Sequence, residues 1–336
     1  MTRRLSDVAQ KVGVSEATVS RVLNGKPGVG EATRQAVLTA LDVLGYERPT
    51  KLRGDRARLV GLFLPELSNP IFPAFAELVG SGLAQHGYTP VLCTQTVGGG
   101  ISESDYVELL LDQQVSAVFF VGGLYSQEAG QHDHYLRLRD LGLPTVLVNA
   151  PIPGLGFTTV STDDGVAMEQ AWSHLAQLGH RRIGLVLGPE DHVPSQRKLA
   201  AARRAAAASG IALPDDHVVS SHYALEAGQA ATTRLLATGV TAVICASDPL
   251  ALGAIRAVRR AGKSVPQDVS VVGFDDSPMM TNVDPPLTTV RQPIEPMARM
   301  GIELLVSQVK GTASAAEEYL FEPELVVRGS TGPAPA

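Results

Sequence analysis

Cysteine and aromatic residues are scarce in this sequence: 2 of the 336 residues are cysteine, and aromatic side chains make up 5%. Cys93 and Cys245 each lie in a short apolar run, so we expect buried, reduced thiols rather than a disulfide or a metal-binding pair. No apolar run approaches the ~20 residues of a transmembrane helix, and the polar N-terminus is unlike a signal peptide. These absences favour a cytoplasmic protein.

Motifs of catalysis and of metal or cofactor binding are also lacking. There is no G-x-S-x-G elbow, and the glycines at 98–100 are not followed by the G-K-[ST] of a phosphate-binding loop. His132, Asp133 and His134 resemble a metal chelate, but they lie in a polar stretch with no further ligand nearby. We therefore expect no enzyme, no cofactor and no metal site.

Charge is distributed unevenly along the chain. Residues 1–58 contain 11 Lys and Arg against 6 acidic residues, a net charge of +5, whereas the whole chain has a net charge of −6. The remaining residues therefore carry −11. A basic end on an acidic chain indicates a polyanionic partner for that end alone.

The basic end has the pattern of two short helices joined by a tight turn. Leu5, Val8, Ala9 and Val12 recur at helical spacing, and Gly13 then interrupts the pattern. Ser15 is a suitable N-cap for the next helix, which buries its own apolar residues at 19, 22 and 23. A third amphipathic helix is predicted over 31–44. This arrangement is typical of a helix-turn-helix whose second helix enters the DNA major groove.

From Leu59 onwards, continuous apolar runs alternate with helical segments. Strands of this kind are buried on both faces, as in parallel sheets that are covered by helices. The runs form two series, separated by P-I-P-G-L-G near 150–163. We therefore predict an α/β body of two doubly wound parallel-sheet lobes, with a ligand cleft where the carboxyl ends of the strands meet.

Several motifs together resemble one known family. They are V-S-E-A-T-V-S-R-V-L-N-G near the start, then N-P-I-F, L-G-H-R-R-I-G, S-D-P-L-A-L-G, V-S-V-V-G-F-D-D and P-P-L-T-T-V-R-Q-P. In this order they resemble the lactose/galactose-repressor family of transcriptional regulators. Within it, the sequence is most similar to repressors of maltose and maltodextrin utilisation from high-GC Gram-positive bacteria.

The resemblance implies a DNA-binding head and a two-lobed body of the type I periplasmic-binding-protein kind. It places the helix-turn-helix in 1–45, a hinge linker in 46–58, and the ligand-binding and dimerisation domain in 59–336. The chain is expected to cross between the lobes. The first lobe then comprises about 59–159 and 287–319, and the second about 160–286 and 320–330. The terminal G-S-T-G-P-A-P-A has the composition of a disordered tail.

The resemblance also implies which residues of the head contact DNA. Arg21 is the strongest candidate for base recognition, since a guanidinium donates two hydrogen bonds to guanine O6 and N7. Glu16 and Ala17 occupy the family's specificity positions at the front of the recognition helix. Roles in positioning phosphate are implied for five further residues. They are Ser15, Thr18, Asn24, Thr33 and Arg34.

The hinge departs from the family pattern, because the segment from Tyr46 to Gly61 is three residues shorter than usual. Family members push a leucine from a short hinge helix into the minor groove, and Leu52 best matches that leucine. Pro49 suits the first turn of such a helix. A plain flexible linker with an incidental leucine remains the alternative.

For the cleft, the resemblance implies a sugar effector and eight matched residues. Phe72 and Tyr223 suit stacking against a sugar ring, and charged side chains suit hydrogen bonds to hydroxyls. Ser247 replaces a more usual asparagine. The eight are Phe72, Asn149, Asp163, Arg197, Tyr223, Ser247, Asp248 and Asp275.

Two functions from different classes fit a two-lobed body. One is a repressor that binds a pseudo-palindromic DNA operator as a nucleoid-associated homodimer and responds to a small sugar, such as maltose or a maltodextrin. The other is an exported sugar receptor or transport component. The DNA-binding head favours the repressor.

Overall fold

The computed structural model describes residues 5–23, 26, 28–43, 58–94, 100–128, 132–312 and 315–335. The chain divides into two compact units. We call Met1–Leu59 with Gln114–Ser116 the head, and Val60–Gln113 with Ala117–Ala336 the body. Among the described helices, none combines the length and the apolar character that crossing a membrane would require.

The residues of the head that the structure describes form three helices: α1 (Leu5–Val12), α2 (Glu16–Leu23) and α3 (Glu31–Val43). Gly13 has a φ of +74°, which permits the tight turn between α1 and α2. The apolar positions that recur at helical spacing form one small core. Its buried residues are Val8, Ala9, Val19, Val22, Val37 and Ala40. The helix-turn-helix prediction is confirmed.

The described residues of the body form two six-stranded sheets. In spatial order, the first sheet comprises β11 (Glu318–Phe321), β5 (Thr158–Thr162), β4 (Thr145–Val148), β3 (Ala117–Phe120), β1 (Leu59–Leu64) and β2 (Thr89–Thr94). The second comprises β12 (Glu324–Val326), β10 (Thr288–Arg291), β9 (Ser270–Asp275), β8 (Ala242–Cys245), β6 (Ile183–Leu187) and β7 (Val218–Ser220). We call the first sheet and its helices the first lobe, and the second sheet and its helices the second lobe.

In the described part of the body, eight α-helices accompany the sheets. They are α4 (Ile71–Gln85), α5 (Glu103–Asp112), α6 (Asp133–Asp140), α7 (Asp164–Gln177), α8 (Val193–Ser209), α9 (Leu225–Ala237), α10 (Asp248–Arg260) and α11 (Ile294–Val309). The strands β3, β4, β6 and β8 are buried along their whole length, as strands covered by helices on both faces must be. The prediction of two parallel-sheet lobes is confirmed.

The predicted lobe boundaries need correction. β5 pairs with β4 in the first sheet, so the first crossing follows Thr162 rather than residue 159. β10 was assigned to the first lobe, but it pairs in parallel with β9 in the second sheet. Therefore the second crossing follows β10, and only α11 and β11 return to the first lobe. The short run T-T-V-R carries no pattern that distinguishes one sheet from the other.

The segment from residue 320, which was assigned to the second lobe, begins in the first, because residues 318–326 contain two strands that lie in different sheets. β11 pairs in parallel with β5, whereas β12 pairs antiparallel with β10. Pro323 lies between them, where a backbone N–H is not available to continue a ladder. The chain thus crosses between the lobes three times.

The C-terminal segment is packed against the second lobe, although its composition predicted disorder. The hydroxyl of Ser330 is buried; it donates to the Val271 carbonyl at 2.6 Å and accepts from the Thr288 amide at 2.8 Å. Ala334 donates its amide to Leu178 at 2.8 Å. Side-chain and backbone hydrogen bonds therefore fix a segment that has no large apolar side chain.

Candidate functional site

The turn and first residues of α2 present a polar surface on the head. The Ser15 hydroxyl accepts a hydrogen bond from the Thr18 amide at 3.2 Å, which caps α2 as predicted. Glu16, Ala17 and Arg21 are exposed, because Val19 and Val22 turn the opposite face of the helix into the core. These three side chains therefore lie on the surface of the head.

Thr33 and Arg34 lie in the first turn of α3 and are half-buried. The positive end of a helix dipole and a guanidinium are both suited to phosphate. Asn24, Leu52 and the hinge at 46–57 lie outside the described residues.

A cavity of about 630 Å³ lies between the two lobes of the body. This volume is within the range of ~300–1,000 Å³ that is typical of small-molecule sites. Its walls come from segments that follow the carboxyl ends of strands in both sheets, as expected of doubly wound folds. Aromatic rings from both lobes contribute to the lining. They are Phe72, Phe75, Tyr125, Tyr223 and Phe274.

Asp275 ends β9 and lies in the cleft at a junction between the lobes. Its Oδ1 accepts from the Gln292 side chain at 2.6 Å, and its Oδ2 accepts from Asn69 of the first lobe at 3.2 Å. Burial raises the pKa of this carboxyl. The φ of Asp275 is +116°, a conformation that L-residues rarely adopt and that is concentrated at functional sites.

Asn149 follows β4 and also has a positive φ, of +69°. Its Oδ1 accepts from the Thr162 amide at 3.0 Å, and its Nδ2 donates to Gln292 Oε1 at 3.2 Å. Gln292 therefore links Asn149 and Asp275 across the second crossing of the chain. Both strained residues are held by this amide.

Among the described residues, the cation that lines the cleft is Lys198, whereas the sequence predicted Arg197. The Lys198 ammonium donates to the Asp164 carboxylate and lies 3.9 Å from the centre of the Phe274 ring. Both partners of this ion pair are at most 5% exposed. Arg197 does not line the cleft; its guanidinium forms two hydrogen bonds, of 2.7 and 3.0 Å, to Glu318.

Asp163 was also predicted to line the cleft, but the next residue in the sequence lines it instead. Its carboxylate caps α7 by accepting from the amides of Gly165 and Val166 at 2.9 and 3.1 Å. The residue that lines the cleft is Asp164. Burial raises the pKa of Asp164, although the charge of Lys198 opposes the shift.

Asp248 does not line the cleft either. It is fully buried and accepts from the Ser277 amide and the Thr289 hydroxyl, both at 2.7 Å. Burial and the neighbouring Asp275 carboxylate raise its pKa. Its role in the structure is to hold the segment after β9. Ser247 does line the cleft, and its hydroxyl also caps α10.

Tyr223 closes one wall of the cleft. Its hydroxyl lies 3.1 Å from His192 Nδ1 and 3.2 Å from Ser195 Oγ, and its ring occupies the space that a side chain at Gly188 would fill. Burial, with the charge of Lys198 as a second cause, lowers the pKa of His192 to about 4. The imidazole is therefore neutral at pH 7.

Five of the eight predicted cleft residues line the cavity: Phe72, Asn149, Tyr223, Ser247 and Asp275. Sequence reasoning missed several polar residues, namely Asn69, Asp164, His192, Lys198 and Gln292. Asn69 and Gln292 lie inside motifs that had already been singled out, N-P-I-F and P-P-L-T-T-V-R-Q-P, which was the available signal.

The histidines at 132 and 134 do not form a metal site in the structure. His134 Nε2 lies 2.7 Å from Glu103 Oε1, and the His132 ring packs against Tyr135. No group of three His, Cys, Asp or Glu suited to a metal ion occurs among the described residues.

Comparisons with known proteins cover both units. Residues 4–49 match the model of bacterial regulatory proteins of the lacI family, and residues 172–331 match a periplasmic binding protein-like domain. The transcriptional regulator reg1 of Streptomyces lividans is 52% identical, over 100% of this chain and 98% of that protein. The regulator MalR of Streptomyces coelicolor is 51% identical over the same shares.

The fold is also similar to solved structures. The transcriptional regulator CelR in complex with cellobiose has a TM-score of 0.75 and 33% identity, with coverage of 98% of this chain and 99% of that one. Because relatives of this identity span the whole length, the chain belongs to the lacI family of bacterial regulatory proteins and is a DNA-binding transcriptional regulator.

Proposed function

We propose that this protein is a sugar-responsive repressor whose effector is a neutral oligosaccharide of the maltose type. The observation that carries the proposal is the charge of the cleft. Among the described residues that line it, the charged side chains are Glu66, Asp164, Lys198 and Asp275. Since Asp164 neutralises Lys198, the cleft offers an anionic ligand no free cation.

The remaining groups suit an uncharged polyol. Hydroxyl groups need both donors and acceptors, and these are present as the amides of Asn69, Asn149 and Gln292 and the carboxylate of Asp275. Phe72 and Tyr223 supply ring faces for the apolar side of a sugar. The name of the MalR relative and the cellobiose of the CelR complex point to the same class of ligand.

In the head, the proposal assigns base contacts to Glu16, Ala17 and Arg21, and phosphate contacts to Ser15, Thr18, Asn24, Thr33 and Arg34. A single recognition helix per chain implies a dimer on a pseudo-palindromic operator. A solved lac repressor similar to this chain is described as a dimer bound to operator. We therefore expect sedimentation to show a dimer.

The effector controls operator binding because the cleft and the DNA-binding head are thermodynamically linked. A sugar that binds one arrangement of the lobes more tightly shifts the chain towards it, and the sugar and the operator must weaken each other by the same factor. Leu52 is the proposed minor-groove contact through which the hinge senses the change. Its replacement by Ala should reduce operator bending, whereas Leu52→Met should be nearly silent.

The decisive experiment is a melting-shift screen of the purified protein with maltose, maltotriose, glucose and glucose 6-phosphate, followed by operator binding with each hit. We expect maltose or maltotriose to raise the melting temperature and to weaken operator binding. Stabilisation by glucose 6-phosphate alone would contradict the neutral effector. A sugar that stabilises the protein without changing operator affinity would favour the receptor function instead.

A further inference from the structure

A buried polar cluster lies directly behind the wall of the cleft in the first lobe. It consists of Glu103, His134 and Tyr135, which we call the Glu103 cluster. His134 Nε2 lies 2.7 Å from Glu103 Oε1, and the Tyr135 hydroxyl donates to the same oxygen. The side chains of Glu103 and His134 are 1% and 3% exposed. A carboxylate at this depth must be hydrogen-bonded, so its position is fixed.

The Glu103 cluster holds two consecutive backbone amides of the cleft wall. Glu103 Oε2 accepts from the Leu124 amide at 3.2 Å, and the Tyr135 hydroxyl accepts from the Tyr125 amide at 3.0 Å. These amides begin a short 3₁₀ turn, Leu124–Ser126, whose residues line the cleft. A side chain at Gly123 would overlap Glu103 Oε2, so its addition would displace the Glu103 carboxylate.

The same wall pairs with the second lobe. Gln127 forms an antiparallel bridge with His192, and the Glu128 amide donates to the Asp191 carbonyl at 2.9 Å. Tyr125, held at its amide by the cluster, donates its hydroxyl to the Val148 carbonyl at 2.6 Å, next to Asn149. Residues 123–128 therefore connect the interior of the first lobe to the surface of the second.

We propose that Glu103 is a positioning residue for the cleft. It holds the 123–128 segment in the geometry that pairs with Asp191 and His192 when the lobes are together, and it thereby sets the effector affinity without touching the effector. The effect on affinity rests on the proposed function of the cleft, whereas the positioning of the segment does not.

The positioning is tested by amide hydrogen exchange on the full chain without effector. Glu103 accepts hydrogen bonds on both carboxylate oxygens. In Glu103→Gln an NH₂ group replaces one of these oxygens, and this group faces a hydrogen-bond donor from which it cannot accept. We expect exchange in 123–128 to become about tenfold faster. Glu108→Gln is the matched control, since it removes an exposed carboxylate from the same helix.

A second pair of variants covers the case in which Glu103→Gln does not fold. Tyr135→Phe removes only the hydroxyl between Glu103 and the Tyr125 amide, and it should accelerate exchange in the same segment. Tyr106→Phe is its control, because that ring packs edge-on against Phe63 and its hydroxyl is not part of the cluster.

Unchanged exchange in 123–128 for both Glu103→Gln and Tyr135→Phe would overturn the proposal. So would a uniform increase across β1, β3 and β4, since that would indicate a loss of global stability alone. Calorimetry with maltose then tests the consequence: we expect affinity about tenfold weaker with stoichiometry unchanged. If the unaltered protein binds no sugar, the proposed effector fails, and the exchange result still decides the positioning role.

Discussion

The carboxylate of Asp275 in the second lobe accepts a hydrogen bond of 3.2 Å from the side-chain amide of Asn69 in the first lobe. The two residues lie on opposite walls of the cleft. A ligand that enters the cleft therefore contacts a hydrogen bond that connects the two lobes. An effector hydroxyl that replaces Asn69 or Asp275 in this hydrogen bond changes the strength of the connection between the lobes. Such a bond is a means by which binding selects one arrangement of the lobes.

Replacement of Asp275 by Ala should therefore give a protein that binds operator but does not respond to the effector. Loss of charge-assisted hydrogen bonds of about 1.5–3 kcal/mol corresponds to a roughly 10- to 150-fold weaker sugar affinity. Calorimetry with sugar and an operator-binding assay would measure the two properties separately. Asp276→Asn is the control, since Asp276 binds Arg291 and Arg328 and does not line the cleft. Sugar affinity unchanged in Asp275→Ala would remove Asp275 from the site.

The assignment of Lys198 in place of Arg197 is open to a direct comparison. Lys198→Met leaves Asp164 as an unpaired buried charge, which should cost about 3–5 kcal/mol of folding free energy and abolish sugar binding. Arg197→Met breaks an ion pair that is partly exposed, so a cost of at most about 1 kcal/mol is expected. Urea unfolding and sugar titration of both variants provide the test.

The double variant Lys198→Met with Asp164→Asn serves as the control for folding, because it removes both charges together. It should recover most of the stability and still fail to bind sugar. Stronger loss of sugar affinity in Arg197→Met than in Lys198→Met would restore the original assignment.

The sequence predicted best those features of the fold in which one pattern recurs at several residues. The head core followed from the spacing of Val8, Val19 and Val22, because an amphipathic helix of a small domain has only one place to bury that face. The two sheets followed from long apolar runs. In both cases several residues support the same conclusion.

The cleft residues were predicted less well because helix neighbours differ by about 100° in direction. Arg197 and Lys198 are both long cations in an alanine-rich helix whose apolar face is weakly defined, and nothing local shows which of them points inwards. The same holds for Asp163 and Asp164, where one residue caps α7 and the next enters the cleft. Only tertiary packing resolves such pairs.

Arg21 provides the test of the head. Arg21→Ala should reduce operator affinity by about 1–3 kcal/mol and relax specificity at one base pair in each half-site. Arg34→Ala, assigned to phosphate, should weaken binding to all sequences alike and reduce the salt dependence by about one charge. Competition binding with substituted operators at several salt concentrations distinguishes the two. An unchanged operator affinity in Arg21→Ala would exclude the proposed docking of α2.

The C-terminal segment should contribute to stability although it is short and polar. Ser330→Ala leaves the Thr288 amide without its partner in a buried position, so we expect a loss of about 1–3 kcal/mol in unfolding free energy. Pro335→Ala, at an exposed position of the same segment, should have no measurable effect and is the matched control. Equal stability of the Ser330→Ala variant and the unaltered protein would indicate that the segment is not anchored in solution.

His180 should make the second lobe sensitive to acid. Its Nδ1 lies 2.9 Å from the Thr241 hydroxyl, and its Nε2 lies 3.1 Å from both the Ser270 hydroxyl and the Gly332 carbonyl. Burial lowers its pKa in the folded chain. The unfolded chain therefore binds the proton first, so the stabilisation is fully present above the ordinary pKa of ~6.5 and is lost as the pH falls below it.

His180→Gln should accordingly be less stable than the unaltered protein at pH 7.5, and this difference should shrink as the pH falls to 5. Because a single proton is involved, the difference in unfolding free energy between the two proteins changes by at most about 1.4 kcal/mol per pH unit. Urea unfolding at both pH values measures it, with the exposed His86→Gln as control. Because other buried groups titrate identically in both proteins, their contributions cancel in the comparison. A stability difference that is constant with pH would mean that His180 carries the same charge in the folded and unfolded chains.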